Sequence, residues 1–160
     1  MLGQGQREQL VHPVKSEQYA IVDAIADAID ALNLESEPTI YRRRAPIAHG
    51  VDLPACFVTP VNQIDKPATN RSYDVGYGAQ VSLVRARDQD IDIVENDGLD
   101  LLLFWREEIK DAFRDASSLT GTNVYLIDSE PKAVIDLGAF PKGFDVSGFV
   151  FRCWVRHTRT

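Results

Sequence analysis

Residues 73–83 alternate between two kinds of side chain, and this alternation restricts the possible folds more than any other feature of the chain. Every second position is apolar or aromatic: Tyr73, Val75, Tyr77, Ala79, Val81 and Leu83. A period of two is typical of a β-strand with one buried face, so a long strand is predicted here. Gly76 and Gly78 fall on the other face, which predicts either a close neighbour above the backbone or a bend.

A second alternating segment lies near residue 150. One face carries Phe149, Phe151, Cys153 and Val155, and the other carries Arg152, Trp154, Arg156 and Thr158. A second long strand is therefore predicted. Trp154 is unusual because it lies on the polar face. Two interpretations are open, coverage by a helix or burial against a partner, since aromatic and arginine residues are enriched at protein interfaces.

The remaining elements follow from apolar spacing and from breakers. Three- and four-residue apolar spacing predicts two amphipathic helices, and short apolar runs between prolines and glycines predict strands. The predicted elements are, in order, a helix over 16–33, strands over 39–41, 55–59 and 73–86, a helix over 92–116, and strands over 124–127, 132–137 and 148–158. Pro60 is expected to end the 55–59 strand, and residues 138–148 are expected to form a turn-rich connection.

These elements predict an α+β fold. Strands clustered between only two helices favour a mostly antiparallel sheet, with both helices packed on one face. The order is a helix, two or three strands, a second helix and two or three strands, and it is taken as α-β-β-β-α-β-β. Residues 1–15 are polar and predict a mobile N-terminal arm, and residues 16–160 a single domain. No run of apolar residues is long enough for a membrane span, so no membrane partner is expected.

The chain is acidic overall, and three of its cations are adjacent in sequence. Lys and Arg total 17 against 24 Asp and Glu, a formal net charge of -7, which disfavours general binding to nucleic acid. Arg42, Arg43 and Arg44 form the only run of three cations. This run has two interpretations: a solvated loop, or a surface that docks onto acidic groups, including those of another copy of the chain.

Residues that could perform chemistry are few. The histidines lack zinc-binding spacing, so a catalytic site rests on the weaker pairing of His49 with Asp52 in one loop. Cys56 and Cys153 fall in strand-like runs and are interpreted as buried free thiols of a protein made in a reducing cytoplasm. No catalytic residue, metal or cofactor is predicted.

An acidic run precedes the second helix. Asp88, Asp90 and Asp92 have the spacing of the first three ligands in the calcium-binding loop of an EF-hand. The glycine and the glutamate found later in such a loop are missing. The run is interpreted instead as an acidic approach to a helix N-terminus, which the helix dipole favours.

The whole layout resembles a known family. An N-terminal helix S-E-Q-Y-A-I-V-D-A-I-A-D-A-I, an arginine-rich loop, a strand L-P-A-C-F-V-T-P, a long strand Y-D-V-G-Y-G-A-Q-V-S-L-V, one further helix and a closing strand G-F-V-F-R-C-W-V-R are similar to small tail-terminator or tail-completion proteins of tailed bacteriophages. The resemblance covers about residues 16–158. It implies a structural virion protein without catalytic residues. Such proteins form a hexameric ring at the head-proximal end of the tail tube, end tube polymerisation and join the tail to the head connector.

In such a ring, DNA would pass through an acidic lumen without specific binding. Arg42, Arg43 and Arg44 are predicted to meet Asp88, Asp90 and Asp92 of the next subunit, with Trp154 as a further interface residue. Reversing the charge of the three arginines is then expected to prevent ring formation at low salt. The alternatives are another virion component, either a tail-tube subunit or a head-side connector, and a small cytoplasmic enzyme or ligand-binding domain that uses His49 and Asp52.

Overall fold

The fold is taken from a computed structural model. It describes residues 16–42, 45–46, 50–86, 97–115, 119–130, 134–136, 139 and 143–158. Its elements are, in chain order, α1 (Glu17–Asp30), β1 (Thr39–Arg42), β2 (Ala55–Pro67), β3 (Ser72–Ala86), α2 (Asp97–Ala112), β4 (Val124–Glu130) and β5 (Phe144–Thr158). The predicted order α-β-β-β-α-β-β is confirmed. The predicted N-terminal arm, residues 1–15, lies outside the described residues.

The five strands form one sheet in the order β1-β2-β3-β5-β4. The two strands with clear alternation, β3 and β5, are the central pair and run antiparallel over their whole length, from Ser72 opposite Thr158 to Ala86 opposite Phe144. β2 joins β3 and β4 joins β5, both antiparallel, whereas β1 runs parallel to β2. The sheet is therefore mostly antiparallel, as the sequence predicts.

Both helices pack on one face of this sheet. Ser16 caps α1 by accepting a hydrogen bond from the Tyr19 backbone N–H at 3.3 Å, as expected for a serine in that position. The helices and strands share a single apolar core, whose larger members are Ile21, Ile25, Ile29, Leu102, Trp105, Ile109, Phe113, Phe149 and Phe151. A smaller cluster around Phe57 lies on the other face, where the ring stacks on Tyr41. We call that second face the outer face.

Three strand boundaries differ from the sequence prediction. β2 continues through Pro60 to Pro67, because β1 pairs only with Ala55–Val58 and the rest of β2 has no second neighbour among the described strands. A proline without an N–H is tolerated at such a free edge. β5 begins at Phe144, inside the predicted turn-rich connection. Residues 134–136 are not a strand, so the part of the predicted 132–137 strand that is described is wrong.

Arg106 has a different position from the one that helical spacing suggests. The stripe of Leu102, Trp105, Ile109 and Phe113 places Arg106 on the solvent side, yet its side chain is buried. It donates to the Gly148 carbonyl oxygen at 2.6 Å and to Ser147 Oγ at 3.1 Å, both on β5. Hydrogen bonds of this kind offset the cost of removing a guanidinium group from water.

Candidate functional site

Two glycines on β3 let large side chains lie directly on the outer face. A Cβ atom added to Gly76 would come within 2.7 Å of Arg152 Cδ and 3.0 Å of the Trp154 ring. One added to Gly78 would come within 2.6 Å of the Asn62 carbonyl oxygen and 2.9 Å of Arg152 Nη1. The first of the two explanations offered by the sequence, a close neighbour above the backbone, is thus confirmed.

Arg152 is the centre of a buried polar network on the outer face. Its side chain is 3% exposed, and its Nε lies 2.7 Å from Glu130 Oε1 on the neighbouring strand. Its Nη1 donates to the backbone carbonyls of Asn62 and Gly76. Asn62 is the extra residue of a bulge in β2, between the paired residues Val61 and Gln63. Arg152 therefore satisfies a carbonyl group that the bulge removes from the regular ladder.

Trp154 is buried by its own chain. The residue is 8% exposed, its Nε1 donates to Asp128 Oδ2 at 3.0 Å, and the Lys66 Nζ lies 4.9 Å from the ring centroid. The sequence left open coverage by a helix or burial against a partner. Within the chain no described helix covers the ring: Gly76 lies below it and Lys66 above it. The ring consequently offers little free surface, and its role at a subunit interface stays a prediction.

Asp74, Arg156 and Tyr125 form a second polar group on this face. Arg156 donates to both carboxylate oxygens of Asp74, at 2.9 and 3.1 Å, and the Tyr125 hydroxyl donates to Asp74 Oδ2 at 2.8 Å. Hydrogen bonds from Arg156 and Tyr125 hold the pKa of the Asp74 carboxyl below its ordinary value. The hydrogen bond to Asp74 also raises the pKa of Tyr125. This group ties β3, β5 and β4 together.

The lowered pKa of Asp74 predicts a pH effect that can be measured. Asp74 stabilises the fold above its unfolded pKa, about 4, and this stabilisation is lost as the pH falls through the lower native pKa. We expect Asp74→Asn to make the free energy of unfolding less sensitive to acid below about pH 4, measured by urea denaturation at several pH values. Asp100→Asn, at an exposed position on α2, removes the same charge and serves as the control. Equal pH profiles for the two variants would contradict the prediction.

β4 forms an open edge of the sheet. Within the described part of the chain it pairs with β5 alone, so the hydrogen-bonding groups along its other side have no strand partner. Tyr125 and Leu126 on this strand are 48% and 46% exposed. An edge strand with exposed apolar side chains is a template for pairing with another chain.

A groove lies on the helix side of the sheet, between the C-terminal end of α2 and β4. Its volume is about 270 Å³ and its walls are Lys110, Phe113, Arg114, Ile127, Ser129 and Phe151. The rings of Phe113 and Phe151, with centroids 4.9 Å apart, give it an apolar base. Both charged side chains that line it are cations. The open edge of β4 and this groove together are the candidate functional site.

Of the predicted interface residues, Arg42 and Trp154 are among the residues that the structure describes. Arg42 Nη2 lies 2.7 Å from Asp27 Oδ1 on α1, so its guanidinium already has an acidic partner within the chain. Arg43, Arg44, Asp88, Asp90 and Asp92 lie outside the described residues. Their predicted contacts between subunits therefore stay predictions.

His49 also lies outside the described residues, and Asp52 is exposed, its backbone N–H donating to the Tyr41 hydroxyl at 2.9 Å. The structure groups a different histidine with polar partners. His157 Nε2 lies 3.5 Å from Glu17 Oε2 and 3.4 Å from the Tyr77 hydroxyl. No sequence spacing signals this group, because its members come from three separate elements.

Both cysteines are free and buried, as the sequence predicts. Burial raises the pKa of Cys56 and of Cys153 to about 12, which leaves them as thiols at neutral pH. Across the described ranges, no three His, Cys, Asp or Glu side chains converge as a metal site would require. Neither described helix has the length and apolar character to cross a lipid bilayer.

Comparison of the sequence with models of known protein families, and with curated proteins, finds no match. The candidate site is therefore assigned from its geometry. Sequence reasoning missed its main parts, the groove cations Lys110 and Arg114 and the length of β4. One sequence signal for the site was available. Tyr125 and Leu126 are consecutive large apolar residues in a predicted strand, and because adjacent residues of a strand point to opposite faces, at least one of them is expected to lie outside the core.

Proposed function

We propose that this chain is a structural assembly protein, a tail terminator that forms a hexameric ring at the head-proximal end of a phage tail tube. The observation that carries this proposal is the open edge of β4, where Tyr125 and Leu126 are exposed on the outer face and the groove lies on the helix side. A neighbouring subunit placed there would gain backbone hydrogen bonds from the edge and apolar contacts from the two side chains.

The finer role rests on the resemblance in layout. The order of helices and strands on which the resemblance depends is also the order in the structure. In this role the ring ends tube polymerisation, binds the tail-tube protein on one side and the head connector on the other, and becomes part of the virion after assembly in the host cytoplasm. The net charge of -7 per subunit suits a lumen through which DNA passes without specific binding.

The oligomeric state tests this function. We expect native mass spectrometry of the purified protein, over a series of protein and salt concentrations, to detect six subunits, and negative-stain images to show closed rings. Leu126→Lys places a charge on the open edge and is expected to shift the equilibrium towards monomers. Phe104→Lys is the matched control, because Phe104 is similarly exposed but lies on α2.

Two results would contradict the proposal. Open filaments of the pure protein would indicate a tail-tube subunit, because a terminator closes and stops. Monomers at every concentration, together with no binding to the ends of isolated tail tubes, would leave no support for a ring.

A further inference from the structure

We infer that the groove between α2 and β4 is the receptor for residues 87–96 of a neighbouring copy of this chain. The inference deepens the proposed ring and rests on it, since it names the two surfaces that meet between subunits. It replaces Arg42, Arg43 and Arg44, the partners that the sequence suggested for the acidic run, with Lys110 and Arg114.

Charge complementarity favours this occupant. Lys110 and Arg114 are the charged side chains of the groove. Among the described residues, Arg114 has an exposed ion pair with Asp111, at 2.8 Å, and no carboxylate is within ion-pair distance of Lys110. An exposed pair contributes little to stability, so both cations can take new partners. Arg42 also has an exposed ion pair, with Asp27, so the choice of Lys110 and Arg114 rests on their place in the groove.

The sequence of 87–96 has the matching chemistry. It carries four carboxylates and one cation, Arg87, and its aspartates alternate with Gln89, Ile91 and Ile93. Isoleucines can contact Ile127, the half-buried apolar side chain of the groove, while the carboxylates meet the two cations. Residues 1–15 fit less well, because Arg7 and Lys15 outnumber their only carboxylate, Glu8.

Geometry requires that the segment come from another copy. Residues 87–96 are tethered at Ala86 and at Asp97. Along α2, Lys110 lies about 20 Å from Asp97. Along the sheet, Ala86 lies about 23 Å from the position of Phe151, which pairs with Ala79. Extended out and back, the segment reaches at most about 19 Å, so it cannot lie along the groove of its own chain.

A contact of this kind joins two different surfaces of the same protein. The segment of one subunit enters the groove of the next, and every subunit offers both. Heterologous contacts of this type close into rings when the rotation between subunits permits. The interface therefore has the symmetry that a hexameric ring needs.

A peptide experiment tests the inference directly. The full-length variant D88N/D90N/D92N keeps its groove but loses the three aspartates of the segment, so its groove is vacant if the inference is correct. We expect a fluorescently labelled peptide of residues 87–96 to bind this variant, and the added changes K110E/R114E to weaken binding by about tenfold or more at low salt. The control adds R42E/R43E/R44E instead, which should leave peptide binding nearly unchanged. Circular dichroism verifies that each variant is folded.

A second experiment exchanges the charges of the two surfaces in the intact assembly. K110E/R114E and D88K/D90K/D92K should each reduce ring formation, and the two sets combined in one chain should restore it. The inference is overturned if the peptide does not bind, if K110E/R114E leaves peptide binding unchanged, or if R42E/R43E/R44E is the change that abolishes it. Rings that persist in K110E/R114E would also overturn the inference while leaving the proposed ring intact. A wild-type protein that forms no rings and does not bind tail-tube ends, but whose vacant groove still binds the peptide, would contradict the proposed ring and support the groove as receptor.

Discussion

Gly78→Ala is expected to lower the free energy of unfolding by roughly 2–3 kcal/mol, a typical cost for overpacking a closely packed site. The added Cβ would lie 2.6 Å from the Asn62 carbonyl oxygen and 2.6 Å from Val61 Cγ2. The first of these is a backbone atom in a bulge, which cannot move away as a flexible side chain can. The strand must therefore shift, and the shift also disturbs Arg152.

The matched control for this prediction is Gly148→Ala. Gly148 lies on β5, also on the outer face, but its added Cβ would be 3.5 Å from the nearest atom, the Val81 carbonyl oxygen. That is an ordinary contact, so stability should change by less than about 1 kcal/mol. Urea denaturation followed by circular dichroism gives both values. If the two alanine variants are equally stable, the close packing over Gly78 is not what requires a glycine there.

Arg152→Leu is expected to cost roughly 2–4 kcal/mol. Leucine fills part of the volume but donates no hydrogen bond, so the buried carbonyl oxygen of Gly76 and the partly buried carbonyl oxygen of Asn62 lose their charged donor. Glu130 loses its ion pair as well. That loss is smaller, because the Glu130 side chain is 38% exposed and can be hydrated.

Arg156→Leu provides the comparison on the same strand and the same face. Arg156 also pairs with a carboxylate, that of Asp74, but its side chain is 57% exposed. Its removal should cost no more than about 1 kcal/mol. The expected result of thermal and urea denaturation is a large difference between the two variants. Similar losses would mean that the buried hydrogen bonds of Arg152 contribute little beyond a surface ion pair.

The alternation in the sequence predicted the parts of the fold in which side-chain spacing alone determines the outcome. It identified β3 and β5 and the core face of each, and it offered the close approach above Gly76 and Gly78 as one of two explanations. It failed where contacts with residues far along the chain determine the structure. Pro60 is a local breaker, yet it is tolerated because β1 ends before reaching it. Helical spacing places Arg106 on the solvent side, yet its side chain is buried by partners on β5 that lie 41 and 42 residues along the chain.

The candidate site was harder to predict for the same reason. Lys110 and Arg114 look like ordinary solvated residues of an amphipathic helix, and only the position of β4 turns their surroundings into a groove. Trp154 was noticed because a tryptophan on a polar face is unusual. Lys66, which covers it, comes from the part of β2 beyond Pro60, where the sequence predicts that the strand has already ended.

The central pairing of β3 with β5 also has a kinetic consequence. Partners in this pair are far apart in sequence, as with Asp74 and Arg156, which are separated by 82 positions. Contacts between residues so far apart in sequence slow folding, because a long loop must close before they form. Folding times of about milliseconds to seconds are usual for such topologies. β2 and β3 are close in sequence and can pair first, which leaves one edge of β3 waiting for β5. During that interval β5 of a second molecule can pair with the free edge of β3. Refolding at high protein concentration therefore favours strand-exchanged dimers.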